Sequence, residues 1–272
     1  MIPRAHITAW RSSAPWPTDE QVEQDLVLSR AVVELFSNPT VAETMAFRGG
    51  TALHKLFLVP PGRYSEDIDL VQVDAGPIGS ALDAIRATLD PWLGEPKRKR
   101  GQRRVTLLYR FETTSKPVQP MRLKVEINTR EHFTVLGPHR RKLTVGNDWF
   151  AGAVDINTYE IEELLGTKLR ALYQRKKGSD LYDLWLALTT LDADAAKVVA
   201  CFDRYMDHGG TPVSRAEFEA NLAAKLRSRQ FLEDIEPLLP TDVTYDVGVA
   251  DAHVREPLIA KLPGDPWKGE GV

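Results

Sequence analysis

The chain has 272 residues, of which 43% are apolar and 27% are charged, as in ordinary folded proteins. This composition excludes a largely disordered chain, and the length suits one large domain or two smaller ones. The net charge of −3 excludes a chain that is basic throughout, although positive residues are concentrated in three short clusters, at 97–104, 139–142 and 175–177.

The expected location follows from what the sequence lacks. The single cysteine, Cys201, excludes an intrachain disulfide and argues against a cysteine-based zinc site. Its helical surroundings predict that it is buried as a small apolar residue. No segment has the roughly 18 consecutive apolar residues of a membrane span, and the first residues lack the apolar core of a secretory signal. We therefore expect a cytoplasmic protein without a membrane segment.

The first predicted element is an amphipathic helix. Thr18 and Gln21 have the spacing of a capping box. Residues 21–36 then repeat apolar side chains at helical spacing, and Asn38, followed by proline, ends the pattern.

The rest of the first half mixes helices with strands. Gly49 and Gly50 predict a tight turn that enters a helix, and residues 78–93 have a further helical pattern. Residues 103–113 and 121–130 alternate in polarity as strands do. Several strands together with helices predict a sheet that is covered on at least one side.

The second half of the sequence is predicted to be entirely helical. Segments with helical periodicity, separated by glycine or proline signals, are 157–178, 180–191, 194–210 and 214–232. Ser214 and Glu217 have the spacing of another capping box. From Pro240 onward we expect an irregular tail with one short strand at 243–249.

These patterns predict an α+β protein. We expect a mixed-sheet lobe at residues 1–154, an all-helical lobe at 155–240, and a C-terminal tail at 241–272.

The most informative residues for chemistry are three acids. An extended chain places Asp67 and Asp69 on one face and Ile68 on the other. Glu126 interrupts an otherwise apolar strand, on the face that it shares with Lys124 and Asn128. Carboxylates on neighbouring strands are hard oxygen ligands of the kind Mg²⁺ prefers. Two such ions can activate an attacking hydroxyl and neutralise a departing pyrophosphate. Backbone N–H groups at the glycine turn are suited to hold the triphosphate.

Each of these features alone also has a simpler explanation. The aspartate pair is compatible with a solvated turn, the glycines with an ordinary turn, and Glu126 with an edge strand facing solvent. An EF-hand is excluded, because Val71 and Val73 occupy positions that need oxygen ligands. The occurrence of all three features in this order favours the metal-centred interpretation.

Three motifs carry a family resemblance. They are FRGGTALHK at 47–55, RYSEDIDL at 63–70 and KLRALYQRKKGSDLYDLW at 168–185. Together they resemble the AbiEii/AbiGii-type nucleotidyltransferase toxins of type IV toxin-antitoxin and phage-abortive systems, including the MenT-like toxins, within the polymerase-beta-like superfamily. The resemblance spans residues 47–188. It implies a mixed-sheet catalytic lobe, a helical lobe, and transfer of a nucleoside monophosphate from an NTP.

The resemblance assigns roles to particular residues. Ser65 and Asp67 match the hydroxyl and first carboxylate of the family's catalytic strand, and Asp69 matches the second metal ligand. Lys168 and Asp183 match the lysine and aspartate of the helical motif. The catalytic set is therefore Ser65, Asp67, Lys168 and Asp183.

The cofactor and nucleotide contacts follow the same motifs. The expected cofactor is Mg²⁺ or Mn²⁺, held by Asp67, Asp69 and Glu126, with an NTP as substrate. The expected nucleotide contacts are Gly49, Gly50, Thr51, Lys55, Ser65 and Lys168, with Arg48 as a further candidate for the triphosphate.

Three of these assignments leave alternatives open. The Ser65 hydroxyl is equally compatible with a turn or cap hydroxyl. Lys168 lies in an apolar helical stripe, so a purely structural ion pair with Asp183 explains it as well as a role in neutralising phosphate charge. Glu126 is compatible with either a general base or a metal ligand.

The leading hypothesis is an enzyme that adds nucleotides to the tRNA 3′ end and blocks translation. The basic clusters would bind the tRNA, and the resemblance implies a cognate AbiEi-like antitoxin. The alternatives are nucleotidyl transfer to a protein or small molecule, kinase-like phosphoryl transfer, and a nucleotide-binding regulator without turnover.

Overall fold

The computed structural model describes residues 2–101, 104–114 and 117–269. Gln102 and Arg103, which belong to the first basic cluster, lie outside the described residues. The same is true of residues 270–272 at the end of the expected tail.

The chain divides into two compact units, Met1–Tyr159 and Glu160–Val272. The boundary expected at residue 154 falls inside the last strand of the first unit, Phe150–Tyr159.

The first unit combines helices and strands. In chain order, its described elements are α1 (Arg4–Trp10), α2 (Asp19–Ser37), α3 (Pro39–Thr44), β1 (Met45–Arg48), α4 (Gly49–Leu56), β2 (Asp67–Gln72), α5 (Gly79–Leu93), β3 (Lys97–Arg100), β4 (Arg104–Glu112), β5 (Pro120–Asn128), β6 (Pro138–Asn147) and β7 (Phe150–Tyr159).

Five strands form one sheet in the order β1-β2-β5-β4-β3. Strands β2 and β5 are parallel and the other neighbours are antiparallel, so the predicted mixed sheet is confirmed. Strands β6 and β7 form a separate antiparallel pair.

The five-stranded sheet has one apolar face, because alternate residues of its central strands are aliphatic or aromatic. The buried residues of this face are Ile68, Leu70, Val105, Leu107, Tyr109, Leu123, Val125 and Ile127. Helices α2 and α5 pack against these strands. The opposite face of the same strands carries the acids expected to do chemistry.

Local signals explain several element boundaries. The capping box of Thr18 and Gln21 is confirmed at the start of α2. The Asn38 side chain caps α3 by accepting a hydrogen bond from the backbone N–H of Thr40. Helix α4 begins at Gly49, directly after β1, as the glycine turn predicted. Helix α1 and the β6–β7 pair were not expected from the sequence.

All described secondary-structure elements of the second unit are helices or 3₁₀ turns, as predicted. Its elements are α6 (Ile161–Gln174), α7 (Gly178–Thr190), α8 (Ala195–His208), α9 (Arg215–Leu226), α10 (Arg229–Glu233), a 3₁₀ turn (Glu236–Leu238), α11 (Val247–Arg255) and a second 3₁₀ turn (Ile259–Lys261). The capping box of Ser214 and Glu217 is confirmed at the start of α9. Cys201 is buried on α8, also as predicted.

The strand expected at 243–249 is wrong, because this segment leads into a helix. The Asp246 side chain accepts hydrogen bonds from the backbone N–H groups of Gly248 and Val249 and so caps α11. Ala250 and Val254 then bury one side of that helix. Among the described residues, no helix is long and apolar enough to cross a membrane.

Candidate active site

The register of the sheet brings the predicted acids together. Asp69 on β2 lies directly beside Glu126 on the parallel strand β5, and beside Arg48 on β1. Asp67 lies beside Lys124 in the same way. Because paired residues share a face, these five charged side chains form one cluster on the polar side of the sheet.

Two cations hold the acids of this cluster. The Lys124 amine lies 2.6 Å from an Asp67 carboxylate oxygen and 3.8 Å from Glu126. The Arg104 guanidinium lies 3.2 Å from the other oxygen of Glu126. Partial burial acts to lower the pKa of Lys124, but the hydrogen bond and charge of Asp67, helped by the other two acids, outweigh it and raise that pKa.

Asp69 is an acid whose ionised form is disfavoured by its surroundings. Burial raises its pKa, and the neighbouring Asp67 and Glu126 carboxylates add to the rise, while Lys124 and Arg48 oppose it. The ionised form of Asp69 therefore lacks full compensation, and an additional cation at this position would relieve it.

Gly49 packs directly against the Asp69 carboxylate. A Cβ atom at this position would lie 2.2 Å from Asp69 Oδ2, and the Gly49 backbone has φ of +86°. Both the space and the left-handed conformation therefore require glycine. The first turn of α4, which continues with Gly50, begins immediately against the acid.

Two hydroxyl groups fix the start of β2. The Thr51 hydroxyl donates to the backbone carbonyl of Asp67 at 2.5 Å and lies 2.8 Å from Ser65 Oγ. Thr51 is buried, so its side chain ties α4 to β2. Its hydroxyl is thus engaged within the protein, while Ser65 is partly exposed.

Two cations proposed for the triphosphate already have acidic partners. Lys55 donates to both carboxylate oxygens of Asp25 at 2.7 Å, and the Trp10 indole donates to the same carboxylate at 2.8 Å. Arg48 forms an ion pair with Glu131. The Lys55 contact joins α4 to α2 in a buried position, so it favours a structural function for this lysine.

The residues of the cluster fit a divalent cation in donor chemistry. Asp67, Asp69 and Glu126 offer the carboxylate oxygens that Mg²⁺ and Mn²⁺ prefer. In the part of the chain that the structure describes, no three His, Cys, Asp or Glu side chains converge closely enough to hold an ion as placed. Lys124 supplies positive charge between two of these acids instead. Their assignment as metal ligands stays a prediction.

In the helical unit, Lys168 and Asp183 meet as expected. The Lys168 amine lies 2.6 Å from an Asp183 oxygen and 3.2 Å from an Asp180 oxygen. All three residues are buried. The contact is confirmed, whereas the catalytic role of both residues stays a prediction.

Asp180 makes this buried cluster larger than the sequence suggested. Arg175 donates two hydrogen bonds of 2.6 Å to its two carboxylate oxygens. Burial acts to raise the pKa of Asp180, but the positive charges of Lys168 and Arg175 outweigh it and lower that pKa. Asp180 therefore stays ionised and shares the Lys168 amine with Asp183.

The sequence predicted no role for Lys124 or Asp180, and for Arg104 and Arg175 only membership of the basic clusters expected to bind tRNA. The signals available were the shared strand face of Lys124 and Glu126, and the three-residue spacing of Asp180 and Asp183 on one helix face. Neither signal identifies a contact without the register of the strands or the packing of the helices.

Solved structures share this fold. MenT4, a nucleotidyltransferase toxin from Mycobacterium tuberculosis H37Rv, superposes with a TM-score of 0.70 at 19% identity, covering 97% of this chain and 91% of that one. JHP933 from Helicobacter pylori superposes with a TM-score of 0.52 at 16% identity, covering 87% and 89%. No curated protein matches the sequence.

The family comparison covers most of the chain. The sequence model of the nucleotidyl transferase AbiEii toxins of type IV toxin-antitoxin systems matches residues 30–252. This range includes the acids of β2 and β5, the glycine turn and the buried cluster of the helical unit. The chain therefore belongs to the AbiEii nucleotidyltransferase toxin family.

Proposed function

We propose that this nucleotidyltransferase transfers a nucleoside monophosphate from an NTP to an RNA acceptor, at the tRNA 3′ end, and thereby blocks translation. The observation that carries the proposal is the placement of Asp67, Asp69 and Glu126 on one face of adjacent strands, with Gly49 against Asp69. This arrangement supports an acidic centre next to the first turn of a helix, where phosphate groups bind favourably.

The acids are proposed to hold Mg²⁺ or Mn²⁺, which supplies positive charge to the triphosphate when bound. The backbone N–H groups of Gly49, Gly50 and Thr51 bind phosphate oxygens, and the Ser65 hydroxyl donates to another. The acceptor hydroxyl oxygen then forms a bond to the α-phosphorus. The bond between that phosphorus and the bridging oxygen breaks, and pyrophosphate leaves with the electron pair. The hydroxyl proton passes to solvent or to a carboxylate of the site.

For the helical unit, the proposed role is charge neutralisation. Lys168 neutralises phosphate charge that builds up as pyrophosphate leaves, and Asp183 and Asp180 hold its amine in place. A purely structural ion pair is the alternative that activity measurements on Lys168 variants decide.

An RNA acceptor is supported by exposed positive charge. Lys97 and Lys99 on β3 are exposed and lie on the same side of the sheet as the acids. A polyanionic acceptor needs such a surface, whereas a small acceptor does not. The proposed place of action is the cytoplasm, and the proposed regulator is a cognate AbiEi-like antitoxin.

The test uses purified protein, Mg²⁺, total tRNA and each NTP labelled in turn at the α- or γ-phosphorus. We expect α-label in RNA and free pyrophosphate. Asp67→Asn should lose activity by about 1,000-fold, while Glu112→Gln, which changes an exposed acid on β4, should not. Label from the γ-position alone would indicate kinase chemistry, α-label in protein would indicate another acceptor, and no transfer at all would indicate a regulator. Each of these three results overturns the proposal.

A further inference from the structure

The polar face of the sheet continues past the acids onto a basic region. Thr106 on β4 lies beside Glu126, and Lys99 on β3 lies beside Thr106, so one row of residues runs from Asp69 to Lys99. Lys97 lies in the neighbouring row, beside Leu108 on β4, which in turn lies beside Lys124 on β5. Paired residues share a face, so Lys97 and Lys99 lie on the same side of the sheet as the acids.

Two arginines extend this region along the central strands. Arg110 on β4 lies directly opposite Arg122 on β5, on the same polar face, and both are exposed. Like charges placed directly opposite each other on a sheet are destabilising. An anion that lies between or over the two arginines would relieve this repulsion. We refer to Lys97, Lys99, Arg110 and Arg122 as the open-face cations.

Among the residues that the structure describes, acids do not neutralise the open-face cations. Several arginines on helices pair with an acid one turn away, as in Arg86–Asp90, Arg229–Glu233 and Arg255–Asp251. Within the described part of the chain, the open-face cations form no ion pair with an acid. The acid nearest them on this face is Glu112, at the far end of β4 beside Pro120.

The spacing of these cations fits a chain of phosphates. Neighbouring strands are about 4.8 Å apart and alternate residues along a strand about 6.7 Å apart. Lys99 is therefore about 10 Å from Glu126 across the sheet, and Arg122 about 13 Å from it along β5. These backbone spacings place the cations to the side of the acids, where they suit successive phosphates of an extended strand whose end reaches the acids.

We propose that the open-face cations bind the backbone phosphates of the unpaired 3′ segment of the RNA acceptor and lead its terminal hydroxyl to Asp69 and Glu126. This inference rests on the proposed function and adds the route of the acceptor to it. Single-stranded RNA is favoured over an acidic protein, because the cations are continuous with the reaction centre in the same rows of the sheet.

Strand β3 offers a matched control for the test. Lys97 and Lys99 face the acids, whereas Arg98 and Arg100 alternate to the other face of the same strand, and all four are exposed. The variants Lys97→Gln/Lys99→Gln and Arg98→Gln/Arg100→Gln therefore remove the same charge from the same strand. A third variant, Arg110→Gln/Arg122→Gln, probes the arginine pair.

The experiment measures binding of a 5′-fluorescent single-stranded RNA of tRNA acceptor-end sequence at several salt concentrations, together with KM for RNA and for NTP. We expect Lys97→Gln/Lys99→Gln to weaken binding about 25-fold near 0.1 M salt and to reduce the salt slope by about 1.4, as expected for two lost phosphate contacts. The Arg110→Gln/Arg122→Gln variant should behave alike, with KM for NTP unchanged. The Arg98→Gln/Arg100→Gln variant should match wild type.

Two results would overturn the inference while leaving the proposed function intact. In one, wild type labels RNA and all three variants bind RNA equally well. In the other, the open-face variants keep RNA binding but escape inhibition by the antitoxin, which would assign the surface to that protein. If wild type labels no RNA with any NTP, the proposed function itself fails, and the inference fails with it. Matching melting temperatures establish that the variants are folded.

Discussion

In the sheet unit, the side chains of Asp67, Lys124 and Glu126 are 35%, 33% and 26% exposed, whereas in the helical unit Lys168 is 6% and Asp183 0% exposed. Half-exposed charges exchange partners at little cost, since water compensates each of them. Buried charges keep their partners, because an unpaired charge there is strongly destabilising. The sheet cluster is therefore suited to exchange Lys124 for a ligand, and the helical cluster to hold one amine in a fixed position.

The largest effect on activity is expected at Gly49, where the backbone contacts the charged cluster of the sheet unit. Gly49→Ala should lower nucleotidyl transfer by about 100-fold, because its Cβ would displace the Asp69 carboxylate by an ångström or so. Gly79→Ala is the matched control, since a Cβ there meets no atom within 4 Å and the residue starts another helix of the same unit. Steady-state kinetics on both variants checks this. Equal activities would show that the position of Asp69 does not matter.

The buried cluster should respond mainly in stability. Asp180→Ala removes one of the two acids beside Lys168 and the acid that accepts from Arg175, and should lower the free energy of unfolding by about 3 to 5 kcal/mol. Arg229→Ala breaks an exposed pair on α10 and should cause no measurable change. Urea unfolding of the two variants decides the point. Similar losses in both would contradict the contrast between buried and exposed clusters.

A smaller effect is expected from the charge of Asp69. Its raised pKa means that the folded state holds the proton more tightly than the unfolded state, so this group reduces stability as pH rises above the ordinary value of 3.8. Asp69→Asn should therefore raise the melting temperature at pH 7, and the gain should shrink as pH falls toward 4. Asp74→Asn, at an exposed position just beyond β2, serves as control. A lower melting temperature for Asp69→Asn at pH 7 would refute the argument.

The smallest effect concerns Lys124. If its amine occupies the place of a cation, Lys124→Met should increase the affinity for Mg²⁺ several-fold, because the ion no longer competes with it. The midpoint of the Mg²⁺-dependent shift in melting temperature measures this without any turnover. Arg122→Met, two residues earlier on the same face of β5, is the control. Weaker Mg²⁺ binding in Lys124→Met would show that the amine supports the site rather than competing for it.

The acids of the site could be predicted from the sequence because strand alternation is local. The pattern around Asp67 and Asp69 fixes their common face, and the apolar residues around Glu126 fix its face on β5. Their adjacency depends on which strands pair and in what register, which the sequence does not state. For the same reason the sequence places Lys124 on the face of Glu126 but does not identify it as the partner of Asp67.

Other contacts are hidden from the sequence for the same physical reason. Lys55 is predicted to contact phosphate because it follows the glycine motif, and nothing local shows that Asp25, 30 residues earlier in the chain, also pairs with it. At the C-terminal end, alternating apolar residues suggested a strand, while the cap supplied by Asp246 started a helix instead. Strand β6 buries only Leu143 and Val145, too few residues for a recognisable alternation.

The central claim is that Asp67 and Asp69 on β2, with Glu126 on β5, hold the divalent cation that accompanies the NTP. Crystals grown with Mn²⁺ and a non-hydrolysable NTP analogue, measured by anomalous diffraction, test it most directly. We predict a manganese peak about 2.2 Å from carboxylate oxygens of both aspartates, with Lys124 moved away from Asp67. A nucleotide bound with manganese at other residues, or with Asp67 still paired to Lys124, would contradict the account.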